Sequence, residues 1–134
     1  MLKLSETRLK ESKQLICTAC PMGCSLQAEK DGEKIMVTGA KCKRGSQYAQ
    51  DEMTNPKRTV TTTVIIQNGE IRRLPVRTTK PFPLRRISEL IKFLSTIEVK
   101  APIKIGQVIV TNCLGEDVDI IATRSISGRS YKIQ

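Results

Sequence analysis

The chain has 134 residues, 39% of them hydrophobic, with no Trp and only two Phe and two Tyr. A chain of this length buries roughly two-thirds of its unfolded surface, so a core of Ile, Val and Leu is expected and a disordered chain is excluded. The 23 Lys and Arg exceed the 13 Asp and Glu, a formal charge of +10, which points to an anionic partner without choosing among nucleic acid, membrane surface and acidic protein.

No apolar run approaches the roughly 20 residues of a membrane span. The opening "MLKLSETRLKESKQL" lacks the continuous apolar stretch of a signal peptide, so a cytoplasmic protein is expected. In that reducing setting clustered cysteines read as ligands rather than disulfides.

Residues 1–14 read as a short helix or a loose tail, with Ser5 and Glu6 as a start signal. "CTACPMGC" comes next, at 17–24. "SLQAEKDGEKIMVTG" then reads as two strands about an Asp31-Gly32 turn. That hairpin begins at Cys24 and returns just before Cys42, so it folds the fourth cysteine back toward the third, with Gly39 and Ala40 as slack. "SQYAQDEM" suits a helical turn or two capped by Ser46, and Pro56 ends it within "TNPKRT". "TVTTTVIIQNGEIRRLPV" is a second hairpin about Asn68-Gly69, succeeded by the Pro-punctuated connector "RTTKPFP".

Leu84, Ile87, Leu90, Ile91, Leu94 and Ile97 recur at helical spacing, with Arg85, Arg86, Glu89 and Lys92 on the other face. This predicts an amphipathic helix over 84–97. "KIGQVIVTNCLGEDVDIIATRSI" closes with two β-rich runs joined near Leu114 to Asp117. The expected fold class is α+β: a small Cys-rich metal-binding module with a β-hairpin, then short antiparallel strands and one amphipathic helix. The expected organisation is an extension over 1–14, a cysteine-rich metal or iron–sulfur module over 15–58, an α+β docking domain over 59–124 and a tail over 125–134.

Chemistry concentrates in Cys17, Cys20, Cys24 and Cys42, a C-x2-C-x3-C loop plus one distant thiol. Structural zinc usually draws on two C-x2-C knuckles, each offering two thiolates to a tetrahedral ion. A cubane [4Fe–4S] cluster presents four iron corners and suits a three-plus-one supply. At this point both stay open, [4Fe–4S] first and Zn as the alternative. A thioredoxin-like pair at Cys17 and Cys20 lacks the strand expected before it and the crossover helix expected after it. The chain has no His, which excludes mixed Cys/His zinc sites, Rieske centres and His-dependent triads.

Cys113, at the end of an apolar run, reads as a buried free thiol outside the ligand set. Lys41, Lys43 and Arg44 beside Cys42 either neutralise a bound cluster or form a solvated basic loop. Basic residues around Lys57, Arg58, Arg72 and Arg73 come without interleaved aromatics, which suits an acidic protein better than a nucleic acid. No nucleophile–base arrangement is visible, so the polypeptide is not expected to be catalytic alone.

Two resemblances rest on these residues. Cys17 to Arg58 resembles the N-terminal [4Fe–4S] segment of molybdopterin oxidoreductases, through C-x2-C-x3-C, Cys42-Lys43-Arg44-Gly45, and Pro56 with Arg58. The pterin-binding domains of those enzymes have no counterpart here, so their cofactor does not carry over. From Leu15 to Arg124, through "CPMGC", "CKRGSQYAQDEMTNPKRTVTTTV", "LPVRTTKPFP", "APIKIGQVIV" and "LGEDVDIIATR", the chain resembles a family of small proteins with paired CxxC-type cysteines. Members of that family are encoded beside FAD-dependent dehydrogenases of the glycerol-3-phosphate dehydrogenase type. The resemblance implies a component that goes with a FAD dehydrogenase and a second flavoprotein, and no reaction; joined to the cysteine spacing, it makes an iron–sulfur accessory subunit that passes electrons from such a dehydrogenase the expected function. The alternative is a zinc-stapled structural interaction or nucleic-acid-binding module.

Overall fold

The structure, a computed structural model, describes residues 10–130. They fall into two compact units that divide between Pro56 and Lys57.

In the first unit, β1 (Glu11–Ile16), β2 (Ser25–Asp31) and β3 (Lys34–Thr38) form an antiparallel sheet in the order β1-β2-β3. Alternation along β2 sends Leu26 and Ala28 to one face and leaves Ser25, Gln27 and Glu29 outside. Register carries the pattern across, Leu15 opposite Leu26 and Val37 opposite Ala28. Helix α1 (Lys43–Thr54) closes the apolar face with Ala49 and Met53. Its first turn packs tightly: a Cβ on Gly45 would lie 3.4 Å from the Ala40 Cβ.

Pairing of Asp31 with Lys34 leaves Gly32 and Glu33 in the turn, with Gly32 at φ +64°. A positive φ at the first central position alone is what a type II′ hairpin requires. At the other end of the hairpin Gly39 has φ +87°, and a Cβ there would stand 2.4 Å from the Ser25 carbonyl oxygen. Gly39 is thus a site of close backbone approach rather than slack.

The second unit holds a five-stranded sheet in the order β8-β5-β6-β10-β9. Its strands are β5 (Thr61–Gln67), β6 (Arg73–Thr78), β8 (Glu98–Lys100), β9 (Val108–Val110) and β10 (Ile120–Ala122). Strand β8 runs parallel to β5 and the other neighbours are antiparallel. A two-residue ladder joins β4 (Lys57–Arg58) to β7 (Phe82–Pro83). Helix α2 (Ile87–Leu94), entered through a 3-10 turn at Leu84–Arg86, adds Leu90 and Leu94 to a core with Val64, Leu74, Val76, Phe82 and Ile120. The buried Thr78 is satisfied on both sides: its hydroxyl accepts from the Val60 N–H at 3.0 Å, and its own N–H reaches the Val60 carbonyl at 2.9 Å.

The α+β expectation is therefore corrected. The chain is mostly β, with ten strands against two α-helices among the described residues and a sheet that is nearly closed and barrel-like. The anticipated metal-binding module with a hairpin is not shown; this unit is a three-stranded sheet plus helix around a small apolar core. Strand β1 replaces the helix or tail expected up to residue 14; the part of that expectation on residues 1–9 lies outside the described residues. Helix α1 is three turns long and capped at Cys42 rather than Ser46. Helix α2 stops at Leu94 because the Ser95 and Thr96 hydroxyls donate back to the Lys92 and Phe93 carbonyls at 2.6 and 2.7 Å. Ile126, expected in a tail, is buried and bridges Ile103. No helix among the described residues is long and apolar enough to cross a membrane.

Candidate functional site

All four clustered cysteines belong to the first unit and are tied to the same end of its sheet. The last β1–β2 pair is Ile16 with Ser25. One step further the Cys17 N–H donates to the Cys24 carbonyl at 2.8 Å. That bond pins both ends of the loop that carries Cys20. Strand β3 returns to this end as Thr38 opposite Gln27, and the close approach of Gly39 to Ser25 turns the chain toward Cys42. The hairpin expectation for Cys24 and Cys42 therefore has a structural basis in register.

The side chains differ in exposure. Cys17 is buried in the unit's apolar core, Cys20 and Cys24 are half-buried, and Cys42 is exposed. Gly23 in the loop holds φ +60° with open space around it. All are free thiols. Among the described residues, no three Cys, Asp or Glu side chains converge as a ligand group for a metal ion. The fold gathers the backbone stations of the four cysteines without converging their sulfurs. The strand expected to be missing before Cys17 is present as β1. After Cys24, however, the chain enters the antiparallel β2 rather than a crossover helix, so the thioredoxin-like arrangement does not arise.

Cys42 has a distinct electrostatic setting. It is the N-cap of α1, with extended backbone at φ −153° and ψ 167°. The Gly45 N–H, then the Arg44 N–H, hold its thiol below the usual cysteine range, with the Arg44 side chain adding to them. The Gly45 N–H also donates to the Cys42 carbonyl at 3.2 Å; the partial positive charge of a helix start favours an anion there, and a thiolate is one. The sequence signal for this is Cys-Lys-Arg-Gly, which reads equally well as a basic loop; the cap falls four residues before the expected Ser46.

Cys113 sits in the second unit, fully buried in its core. Burial pushes its thiol up, against a smaller pull from Arg86. Its turn is unusual, with Asn112 at φ 44°, Leu114 at φ 54° and Gly115 at φ 78°. Arg86 braces that turn by donating to the Leu114 carbonyl at 3.1 Å and to Glu116 at 2.6 Å, while gripping Glu89 at 3.0 Å and lying 5.9 Å from the Phe82 ring centre. The helical pattern puts Arg86 on a solvent face and carries no signal of this bracing role.

Residues 43–124 match the family described as "Protein of unknown function (DUF1667)", and the chain belongs to that family. It is also similar to a solved structure, the NMR structure of Clostridium perfringens protein CPE0013. The two share 26% identity and a TM-score of 0.52, over 58% of this chain and 93% of that one. No curated protein matches the sequence. The family match begins at Lys43, one residue past Cys42, so the four clustered cysteines fall outside it.

Proposed function

We propose that this protein is an iron–sulfur accessory subunit that passes electrons from a FAD-dependent dehydrogenase of the glycerol-3-phosphate dehydrogenase type. Cys17, Cys20, Cys24 and Cys42 would hold a [4Fe–4S] cluster, which when bound supplies a one-electron store. The observation that carries the reading is the placement of all four cysteines at one end of the β1–β2–β3 sheet, with the Cys17–Cys24 backbone bond closing the loop between them. The donor set, four thiols and no imidazole, fits such a cluster in kind. The sulfurs do not converge as folded, so holding the cluster would require the four thiols to draw together.

The chain's own residues have clear parts. The N–H groups at the start of α1 hold Cys42 toward its ligating thiolate form. Lys41, Lys43 and Arg44 lie beside it, and their charge offsets that of bound thiolates. Cys17, anchored in the apolar core, would be the ligand whose position the core fixes.

The test is a set of single Cys→Ser variants purified without oxygen. Each of Cys17, Cys20, Cys24 and Cys42 should lose iron and acid-labile sulfide together. A variant that keeps full iron and sulfide would remove its cysteine from the ligand set, and stoichiometric zinc without sulfide would replace this reading with a zinc-stapled module.

A further inference from the structure

We propose that the outer face of the five-stranded sheet, centred on Arg73 and Arg77 of β6, is a docking surface for an acidic face of a partner protein. Strand alternation puts Leu74, Val76 and Thr78 inside and Arg73, Pro75 and Arg77 outside. Register then assembles one face. Ile65 lies opposite Arg73, Thr63 opposite Pro75, and Arg77 stands between Thr61 and Ile121, with Val108 beyond. Ile65, Ile121 and Val108 take no part in the unit's core, and Val108 is 46% exposed. The face is apolar ground carrying two arginines about 13 Å apart, at roughly 3.3 Å per strand residue.

Those arginines are unneutralised. Among the described residues the Arg73 side chain has no ion pair or hydrogen bond, and Arg77 reaches only the neighbouring Thr78 carbonyl at 3.3 Å. Glu98 is the one acidic residue in the five strands, and its carboxylate accepts from Gln67 Nε2 at 2.6 Å. The whole unit is biased the same way. Residues 57–134 contain fourteen Lys and Arg against six Asp and Glu, whereas residues 1–56 contain nine against seven. The +10 of the chain is mainly a property of the second unit.

Charge selects the occupant. A second copy would set like charges against each other. Single-stranded nucleic acid stacks on exposed aromatics, whereas Phe82 is buried and Phe93 packs on the core. Apolar ground with interspersed arginines suits a protein, where Arg pairs bidentately with carboxylates and Ile and Val lose water. With β5 and β6 seven and six residues long and the other three strands three residues each, the sheet face covers roughly 350 Å², from strand spacings of about 4.8 Å and rises of about 3.3 Å. That is about half of what a standard interface takes from each partner, the size class of transient encounters. This deepens the partner part of the function proposed above and does not depend on the cluster.

The test places a photo-crosslinking benzoylphenylalanine at Thr63 in the full chain in its native cells, with Lys92 on α2 as control site. The Thr63 adduct, mapped by mass spectrometry, should lie on a protein beside its own Asp or Glu residues. Binding to that purified protein at low salt should weaken at least about tenfold in the double variant Arg73→Glu, Arg77→Glu. It should weaken less with Arg73→Gln, Arg77→Gln, and recover when the partner's mapped carboxylates are changed to Lys. The Cys42→Ser protein should bind like the wild type, which separates failure of the cluster from failure of the docking face. An adduct to nucleic acid or to another copy of this chain, no adduct at Thr63, or less than a twofold change in the charge-neutral and charge-reversed variants overturns the proposal.

Discussion

Gly39→Ala tests whether the turn toward Cys42 depends on close backbone approach. Two effects add at this position. An L-residue held in the left-handed region is destabilised by about 1–2 kcal/mol. The new methyl would also stand 2.4 Å from the Ser25 carbonyl oxygen, a backbone atom in the sheet that cannot swing aside like a side-chain end. Forcing such an overlap costs about 1–3 kcal/mol, so the expected loss is about 2–5 kcal/mol of first-unit stability. Gly32→Ala is the control, because Gly32 has a similar φ of +64° but a Cβ there would meet nothing within 4 Å. It should lose only the left-handed contribution, about 1–2 kcal/mol. Hydrogen exchange of the central-strand β2 amides reads the first unit directly. At a factor of ten per 1.4 kcal/mol, Gly39→Ala should accelerate it by roughly thirtyfold or more. Equal acceleration in the two variants would refute the steric argument and leave the hairpin end free to move.

In metal-free protein, the rate of Cys42 alkylation by iodoacetamide should rise with pH through a midpoint below that of an ordinary cysteine, and Arg44→Ala should retain most of that displacement because the Gly45 N–H contributes first; a midpoint at the ordinary value counts against the helix-start account. Arg86→Ala should lower the melting temperature of the second unit, since it removes the brace on Leu114, Glu116 and Glu89. Glu89 is held below its usual pKa by Arg86, so its share of stability is present above the ordinary carboxylate range and disappears as pH falls through the lowered value. Melting curves across acid pH should therefore show the gap between wild type and Arg86→Ala narrowing, and a constant gap would contradict this. Cys113→Ser should destabilise by about 1–2 kcal/mol, because a fully buried hydroxyl replaces a thiol without a partner, and should leave iron and sulfide content unchanged.

Much of the fold can be read where local chemistry decides structure. The Gly-containing turn after β2 and the period-2 runs of β5 and β6 are visible because their residues carry both the propensity and the alternation. Strand β1 is not visible, since "ESKQLI" is mostly polar and becomes a strand only by pairing with the open edge of β2. The mostly-β character is obscured for the same reason, as β8, β9 and β10 are each three residues long and exist through their neighbours. At the candidate site, spacing places the thiols in one region, but not the burial of Cys17 or the helix start at Cys42, which depend on α1 packing across the sheet. Arg77 is legible only as one of many basic residues; register with Thr61 and Ile121 is what gives it a face.

Whether Cys17, Cys20, Cys24 and Cys42 hold an iron–sulfur cluster is decided by iron and acid-labile sulfide analysis of the full-length wild-type protein, prepared without oxygen. The expected result is about four iron and four sulfide per chain; one zinc per chain with no sulfide, or no bound metal at all, would contradict it.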